Sequence, residues 1–152
     1  MKFEAVSGEE IREPLRLLEN SLRAGESLSE EFVSRMRRSV EMGGIEVLVA
    51  RKDGRSIGVL VLAFRPSISL GGLFASIEDL YVEPGSRRRG AGRKLLETVA
   101  ERCRRRGVSY VEVHAEEDEA MAFYAKLGYE KENGVRVFSR SYPLCDGELR
   151  EE

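Results

Sequence analysis

The amino-acid sequence predicts a mixed α/β fold in a single domain, with a twisted β-sheet flanked by helices. Glycine-containing turns between β-branched runs are typical of antiparallel hairpins. A helical segment between two further apolar runs indicates a parallel strand pair joined by a crossover. The 152 residues, 41% of them hydrophobic, can close one core and are too few for two ordinary domains. We therefore expect one domain over residues 1–152, with a frayed polar tail at 143–152.

The predicted elements follow the order β-α-α-β-β-β-α-β-α-β-β. They cover residues 2–6, 8–23, 29–42, 45–50, 57–64, 73–82, 92–106, 108–114, 116–127, 129–131 and 135–142. The first helix carries an apolar stripe at helical spacing, and because proline is tolerated in the first turn, Pro14 places the true start at Arg12 or Glu13. The second helix ends at the pair Gly43-Gly44. Each of the first two helices is therefore bounded by a local signal.

Turn residues and spacing predict the remaining elements. Asp53-Gly54 indicates a tight hairpin between the next two strands, since both residues tolerate a positive φ. The strand at 73–82 leads through a loop into the third helix, for which Gly107 is a natural C-cap. The strand at 108–114 should then be its parallel neighbour. A fourth helix ends at Gly128, and the sequence around Asn133-Gly134 predicts a final hairpin.

The segment from Ser76 to Leu96 has the features of an anion-binding site. Pro84 ends the strand, and Gly90 and Gly92 open a helix. A helix N-terminus has unpaired backbone N–H groups and a partial positive charge, so it attracts phosphate. Three consecutive arginines precede Gly90 and strengthen this field.

The spacing of this loop excludes one phosphate motif and disfavours another. A Walker loop is excluded because Ala91 and Gly92 stand where its lysine and its Ser/Thr are required. A dinucleotide fingerprint is weak because Leu95 replaces its third glycine. The remaining pattern is Arg-x-x-Gly-x-Gly, from Arg87 to Gly92, directly after a strand that reads Glu-Asp-Leu-Tyr-Val.

This pattern resembles the acetyl-CoA signature of the GCN5-related N-acetyltransferases (GNAT). A second segment, Ala122-Phe123-Tyr124-Ala125-Lys126-Leu127-Gly128-Tyr129, is similar to the other hallmark of that family. The resemblance implies a GNAT-like fold and acetyl-CoA as the acyl donor, with loop amides holding the pyrophosphate and the preceding strand pairing with the pantetheine arm. Many members have asparagine where this chain has Glu117, which offers no amide donor. The implied cofactor-binding residues are Leu80, Tyr81, Val82, Arg87, Arg88, Arg89, Gly90, Ala91, Gly92, Arg93 and Glu117.

Transfer of an acetyl group to an amine requires a base. An alkylamine has a pKa near ~10.4, so its neutral form costs about 4 kcal/mol at neutral pH. A nearby carboxylate, directly or through water, can accept the proton. Glu78 ranks first as the base because its strand resembles that of polyamine acetyltransferases. Glu112 ranks second because it matches the position of the base in protein N-terminal acetyltransferases, and Asp79 ranks third. Strand alternation predicts that Glu78 and Asp79 point to opposite faces of the sheet.

The leaving thiolate requires a proton or a hydrogen bond, and Tyr124 matches the tyrosine to which the family assigns this role. A phenol near ~10 is a weaker acid than a thiol near ~8.5, so full proton transfer is uphill by roughly 2 kcal/mol. A hydrogen bond alone can be enough. The competing interpretation of Tyr124 is packing, because it lies on the apolar stripe of its helix.

Composition limits the other classes of function. The net charge of −2 argues against nucleic acid or an anionic membrane as a partner. The apolar runs are too short for a membrane span, and with no secretory signal we expect a cytoplasmic protein. Cys103 and Cys145 lack the spacing of a metal site or a disulfide framework, so no metal is expected.

The resulting hypothesis is an acetyl-CoA-dependent N-acetyltransferase that acts on a primary amine of a small molecule or a peptide N-terminus. Two alternatives stay open at this point. One is a catalytically silent acyl-CoA sensor, which Glu117 makes conceivable. The other is a nucleic-acid-binding face built from the arginines at 87–93 and 102–106. A homodimer is compatible with the sequence.

Overall fold

The computed structural model describes residues 1–143, and its contacts divide the chain into two compact units, residues 1–116 and the residues from 117 onward. The expectation of a single domain stays a prediction. The first unit contains β1 (Lys2–Ala5), a 3₁₀ turn (Gly8–Glu10), α1 (Arg12–Leu22), α2 (Glu30–Glu41), β2 (Ile45–Lys52), β3 (Arg55–Ser67), β4 (Gly72–Val82), a second 3₁₀ turn (Pro84–Ser86), α3 (Ala91–Arg105) and β5 (Val111–Val113). The second unit contains α4 (Asp118–Lys126).

The sheet has five strands in the order β1-β2-β3-β4-β5. Strands β1 to β4 pair with one another in antiparallel fashion, whereas β4 and β5 are parallel and are joined through α3. The β2–β3 turn is formed by Asp53 and Gly54, with φ of 54° and 75°. The predicted mixed α/β class is therefore confirmed, together with the hairpin at Asp53-Gly54 and the parallel crossover.

Both faces of the sheet are covered, because β2 and β3 are apolar at successive positions. On one face Val47, Val49, Val59 and Val61 join a buried cluster with Ile11, Leu15 and Leu18 of the α1 region and Val33 of α2. On the other face Leu48, Leu60 and Leu62 are fully buried. Gly58 lies on that second face, where an added Cβ would come within 3.4 Å of Leu95 of α3.

Local signals set the ends of the helices. Helix α1 begins at Arg12, so that Pro14 lies in its first turn, as predicted. Ser29 is the N-cap of α2, and its hydroxyl accepts a hydrogen bond from the Phe32 N–H at 3.1 Å. Strand β5 is shorter than predicted because the Val108 N–H bonds to the Cys103 carbonyl at 2.8 Å and so continues the end of α3.

The predicted final hairpin is wrong for the described part of the chain, in which residues 127–143 form no strand. Gly134 does adopt the positive φ of 88° that a tight turn uses, but the segments on either side of it form no ladder. A two-stranded hairpin is marginal without a sheet or a helix to cover it, so turn residues alone do not guarantee strands. Most of the predicted tail, including Cys145, lies outside the described residues.

Candidate active site

A β-bulge in the middle of β4 sets the positions of two acidic residues. Val61 of β3 is opposite Asp79, whereas the next residue, Leu62, is opposite Ile77. Glu78 is therefore the extra residue, and alternation along β4 is interrupted there. Both Glu78 and Asp79 consequently line the same cavity, and the prediction that they face opposite sides of the sheet is wrong.

The cavity has a volume of about 520 Å³ and lies between α1, the α1–α2 loop, α2 and the sheet. This volume is in the range of pockets that enclose a small-molecule ligand. Its apolar lining consists of Leu15, Leu18, Leu22, Leu28, Phe32, Met36, Ile45, Val61 and Ala63. Its polar lining consists of Glu19, Arg23, Glu78 and Asp79.

Glu78 and Asp79 are the charged groups of the cavity that have no compensating partner. Neither makes an ion pair or a side-chain hydrogen bond with any residue that the structure describes. Burial, and secondly the adjacent charge of Glu78, raise the pKa of Asp79 above its ordinary value of 3.8. Two carboxylates without a partner beside apolar walls make a site suited to a cation.

The third carboxylate of the cavity, Glu19, was not predicted. It is only 3% exposed, accepts hydrogen bonds from Arg12 Nη1 at 3.0 Å and from the Leu28 N–H at 2.5 Å, and so fastens the α1–α2 loop to α1. Burial alone would raise the pKa of Glu19, but these two hydrogen bonds and the charge of Arg12 hold it below its ordinary value. Its position between Leu18 and Leu22 on an apolar stripe was the available signal.

Glu112 occupies a different place from the other two predicted bases. It lies in β5 opposite Ser76, and its carboxylate is 3.5 Å from Arg65 Nη2. It is not part of the cavity lining. Its ion pair with Arg65 and its place outside the cavity distinguish it from Glu78 and Asp79, which have no such partner.

The predicted phosphate loop is a left-handed turn followed by an uncapped helix. Arg88 and Gly90 have φ of 63° and 82°, and Gly90 is the N-cap of α3 with no side chain bonded to the helix terminus. A Cβ built at Gly90 would meet nothing within 4 Å, so the approach to the backbone is open. The first turn contains no acidic residue. These features fit an anionic group such as the pyrophosphate of coenzyme A.

The cationic side chains of the loop differ in their contacts. Arg87 Nε donates to the Val82 carbonyl at 2.8 Å, and its guanidinium lies 5.5 Å from the centre of the Tyr81 ring. Arg93 lies 3.7 Å from Glu97. Arg88 and Arg89 are exposed. The loop therefore keeps a local positive charge beside the start of α3.

Strand β4 extends beyond its parallel partner. The pairing with β5 covers Ala75–Ile77, whereas β4 continues to Val82. On this side Leu80, Tyr81 and Val82 have no strand partner among the described residues. Apart from the Val82 carbonyl, which accepts the hydrogen bond from Arg87, the backbone groups on this side are thus available for an extended ligand, next to the bulge at one end and the glycine loop at the other.

The second unit holds two further predicted residues. Tyr124 lies in α4, with its ring centre 5.5 Å from that of Tyr129 and 5.2 Å from that of Phe123. Burial raises the pKa of the Tyr124 hydroxyl above its ordinary value of 10.0, so the group is protonated at neutral pH. Glu117 is the residue that precedes α4 and makes no side-chain cap bond there.

The other arginine cluster is engaged in structural ion pairs. Arg102 and Arg106 both bind Glu46 of β2, at 2.6 Å and 3.4 Å, and Arg105 binds Glu101 at 3.0 Å. The two pairs with Glu46 connect α3 to the sheet, the pair with Glu101 lies within α3, and all three compensate charge that the nucleic-acid hypothesis requires. Within residues 1–143 there is no cluster of His, Cys, Asp or Glu that could hold a metal. No described helix is long and apolar enough to cross a membrane.

Part of the chain is similar in sequence to known N-acetyltransferases. The chain is 35% identical over 75 residues to the [ribosomal protein bS18]-alanine N-acetyltransferases of Escherichia coli K12 and Shigella flexneri, which covers 48% of this chain and 49% of each relative. The chain thus spans about half the length of the curated relatives it matches.

Solved structures show the same fold. An aminoglycoside acetyltransferase from an uncultured soil metagenomic sample, in complex with sisomicin, matches with a TM-score of 0.82 at 21% identity, over 93% of this chain and 96% of the other. A ribosomal-protein-alanine N-acetyltransferase from Brucella melitensis biovar Abortus 2308 matches with a TM-score of 0.74 at 17% identity, over 92% and 100%.

A sequence model of the Acetyltransferase (GNAT) family matches residues 14–129, which include the bulge, the glycine loop and Tyr124. The match covers most of the chain. The chain therefore belongs to the GNAT family of acetyltransferases.

Proposed function

We propose that this protein is an N-acetyltransferase that transfers the acetyl group of acetyl-CoA to a primary amine of a small molecule or a peptide. The observation that carries the proposal is the pair Glu78 and Asp79, two carboxylates without a partner at an apolar cavity. This pair lies on the same strand that leads to the glycine loop. A cation site and an anion site are thereby joined by one short stretch of backbone.

Acetyl-CoA supplies an acetyl group activated as a thioester. The N–H groups at the start of α3 and the side chains of Arg88 and Arg89 hold its phosphates, while the open edge at Leu80–Val82 hydrogen-bonds the pantetheine arm. Family membership supports these assignments, as does the open approach to Gly90. Glu117 contributes no amide donor to this binding.

The acceptor amine arrives as an ammonium ion and must lose a proton before it can attack. Glu78, which is the more exposed of the pair, attracts the ammonium group. Asp79 takes the proton, directly or through a water molecule, since its raised pKa makes it a stronger base than an ordinary aspartate. The ion-paired Glu112 has no part in this step.

In the transfer itself, the amine nitrogen forms a bond to the acetyl carbonyl carbon and the carbon–sulfur bond breaks. The electron pair of that bond leaves with sulfur, the nitrogen gives up its excess proton, and the thiolate takes up a proton through solvent. The products are an N-acetylamine and the free thiol of coenzyme A. Tyr124 donates a hydrogen bond to the departing sulfur. Its raised pKa supports hydrogen bonding over full proton transfer, since the phenol is an even weaker acid than usual.

The direct test is release of free coenzyme A thiol when acetyl-CoA is mixed with a panel of primary amines, with the N-acetyl product identified by mass spectrometry. No release with any amine would contradict the proposed function. A catalytically silent acyl-CoA sensor would then be the better description.

Two glycine variants, Gly92→Ala and Gly85→Ala, test the binding loop independently of the acceptor. Gly92→Ala should bind acetyl-CoA at least about tenfold more weakly in calorimetry, because the added Cβ obstructs the approach of phosphate to the backbone. The fold should be as stable as before or slightly more so, since alanine favours a helix over glycine by up to about 1 kcal/mol. Gly85→Ala is the control, because a Cβ there meets nothing within 4 Å. Equal affinities for both variants would remove the loop from the site.

A further inference from the structure

We infer that the acceptor is a monoamine whose carbon skeleton is apolar, and that Phe32 and its apolar neighbours exclude polyamines. This inference rests on the proposed function and specifies its substrate class. It is drawn from the lining of the cavity beyond Glu78 and Asp79.

The walls of the cavity are suited to carbon. Nine of the thirteen lining residues are apolar, and they come from α1, the α1–α2 loop, α2 and the sheet. Leu22 and Phe32 are 65% and 42% exposed, so this wall presents apolar surface that a ligand can cover. An acceptor with an apolar body would cover this surface, and each buried methylene favours binding.

The charges of the cavity provide for a single ammonium group. Glu19 is already neutralised by Arg12 at 3.0 Å and by the Leu28 N–H. Glu78 and Asp79 are adjacent and form one anionic position. A second ammonium group, several carbon atoms away, would find apolar side chains and Arg23, a cation already paired with Glu26 at 3.6 Å, in place of an unpaired carboxylate.

Phe32 offers a way to test this without disturbing the fold. It is the third residue of α2, and its N–H bonds to the N-cap Ser29. The change Phe32→Glu completes a capping box with Ser29 and adds a negative charge at a helix N-terminus, where it is favourable. It therefore places a carboxylate on the cavity wall at little cost in stability.

The experiment compares kcat/KM for 2-phenylethylamine, a monoamine with an apolar body, and for spermidine, a polyamine. The wild type should favour 2-phenylethylamine by about tenfold or more, the discrimination that apolar pockets give. Phe32→Glu should reduce this preference by about tenfold or reverse it, with acetyl-CoA affinity unchanged. Met42→Glu is the control for an added negative charge on α2, because Met42 is the C-cap of that helix, is 80% exposed and does not line the cavity.

Each outcome is decisive. A wild type that acetylates spermidine as well as 2-phenylethylamine overturns the inference and leaves the acetyltransferase proposal standing. The same holds if Phe32→Glu and Met42→Glu give equal preferences. Absence of thiol release with every amine defeats the proposed function itself, which is a different result.

Discussion

Asp79 and Glu78 are neighbours in sequence with the same charge, yet we propose different roles for them because their surroundings differ. Asp79 is the more buried of the two, and the bulge keeps it beside Glu78. Burial, and secondly the adjacent charge of Glu78, raise the pKa of Asp79, so it holds a proton more readily than an ordinary aspartate. This difference leads to a prediction about the pH dependence of turnover.

Asp79→Asn should lower kcat/KM by roughly 10²-fold near neutral pH, because no group then removes the proton from the ammonium ion. Alkaline pH should restore much of the activity, since solvent then deprotonates the amine. Glu78→Gln should mainly raise KM for the amine, by an amount that varies little with pH.

Glu112→Gln serves as the control for this pair of variants. It breaks the contact with Arg65 but leaves the cavity lining intact, so its kcat/KM should stay near that of the wild type. Alkaline rescue of Glu78→Gln alone would assign the base to Glu78. Rescue of Glu112→Gln alone would move the base to β5 and contradict the proposal that Asp79 is the base.

Tyr124→Phe removes one hydroxyl and keeps the ring that packs against Tyr129. We expect kcat to fall by roughly ten- to a hundredfold, with little change in acetyl-CoA affinity, because the lost hydrogen bond is stronger in the transition state than in the ground state. Steady-state kinetics with saturating substrates measure this. Phe123→Leu, which changes the neighbouring aromatic residue, is the control for altered packing. An unchanged kcat in Tyr124→Phe would leave the residue with a packing role only.

At the scale of elements, the α1–α2 connection depends on one buried carboxylate. The folded-state pKa of Glu19 lies below its ordinary value of 4.5. The charged form therefore contributes stability that is fully present above pH 4.5 and is lost as pH falls through the lowered pKa. Acid should loosen this loop before it affects the pairing of the sheet.

Glu19→Gln should cost on the order of 3 kcal/mol in the free energy of unfolding at neutral pH, since it leaves Arg12 without its partner in a buried setting. The difference from the wild type should shrink as the pH is lowered through the range in which Glu19 takes up its proton. Urea titrations at several pH values measure this. Glu26→Gln is the control, because Glu26 is 78% exposed in its pair with Arg23 and exposed pairs contribute little. Equal losses for the two variants would contradict the anchoring role.

The elements that could be predicted from sequence are those with local causes. Pro14, Ser29, Asp53-Gly54 and Gly90 each act on their own backbone, and the helices and turns around them were predicted to within a few residues. The bulge at Glu78 could not be predicted, because an extra residue in a strand is defined only by the partner strand. The prediction of the final hairpin was wrong for a related reason, because a pair of strands also requires a sheet or a helix to pack against.

At the scale of the whole molecule, the small net charge of −2 hides a separation of charge within the first unit. Positive side chains surround the start of α3, and negative ones lie at the β4 bulge. We therefore expect an anionic cosubstrate and a cationic acceptor to be attracted to different places. The arginines of the loop and the acidic residues of β4 were both predicted as site residues from the sequence. Only the structure shows that Glu78 and Asp79 line a cavity without a charge partner.

This separation predicts that added salt weakens both substrates at once. KM for acetyl-CoA and KM for a charged amine should each rise several-fold between about 0.01 M and 0.5 M ionic strength, because the Debye length falls from roughly 30 Å to a few Å. Stopped assays over a salt series measure the effect, with urea-unfolding midpoints at each salt concentration as the control for the fold. Values of KM that do not change with salt would mean that contact, not charge, controls recognition.

The unpaired edge of β4 has a consequence for how the protein behaves in storage. A free strand edge is a template on which a second chain can add its own strand, and natural sheets usually protect such edges. From Leu80 to Val82 this protection would come from two sources. Arg87 binds the Val82 carbonyl, and the bound cosubstrate would occupy the other backbone groups that a second chain would use. Preparations stripped of coenzyme A should therefore self-associate on standing, and those kept with it should stay dispersed.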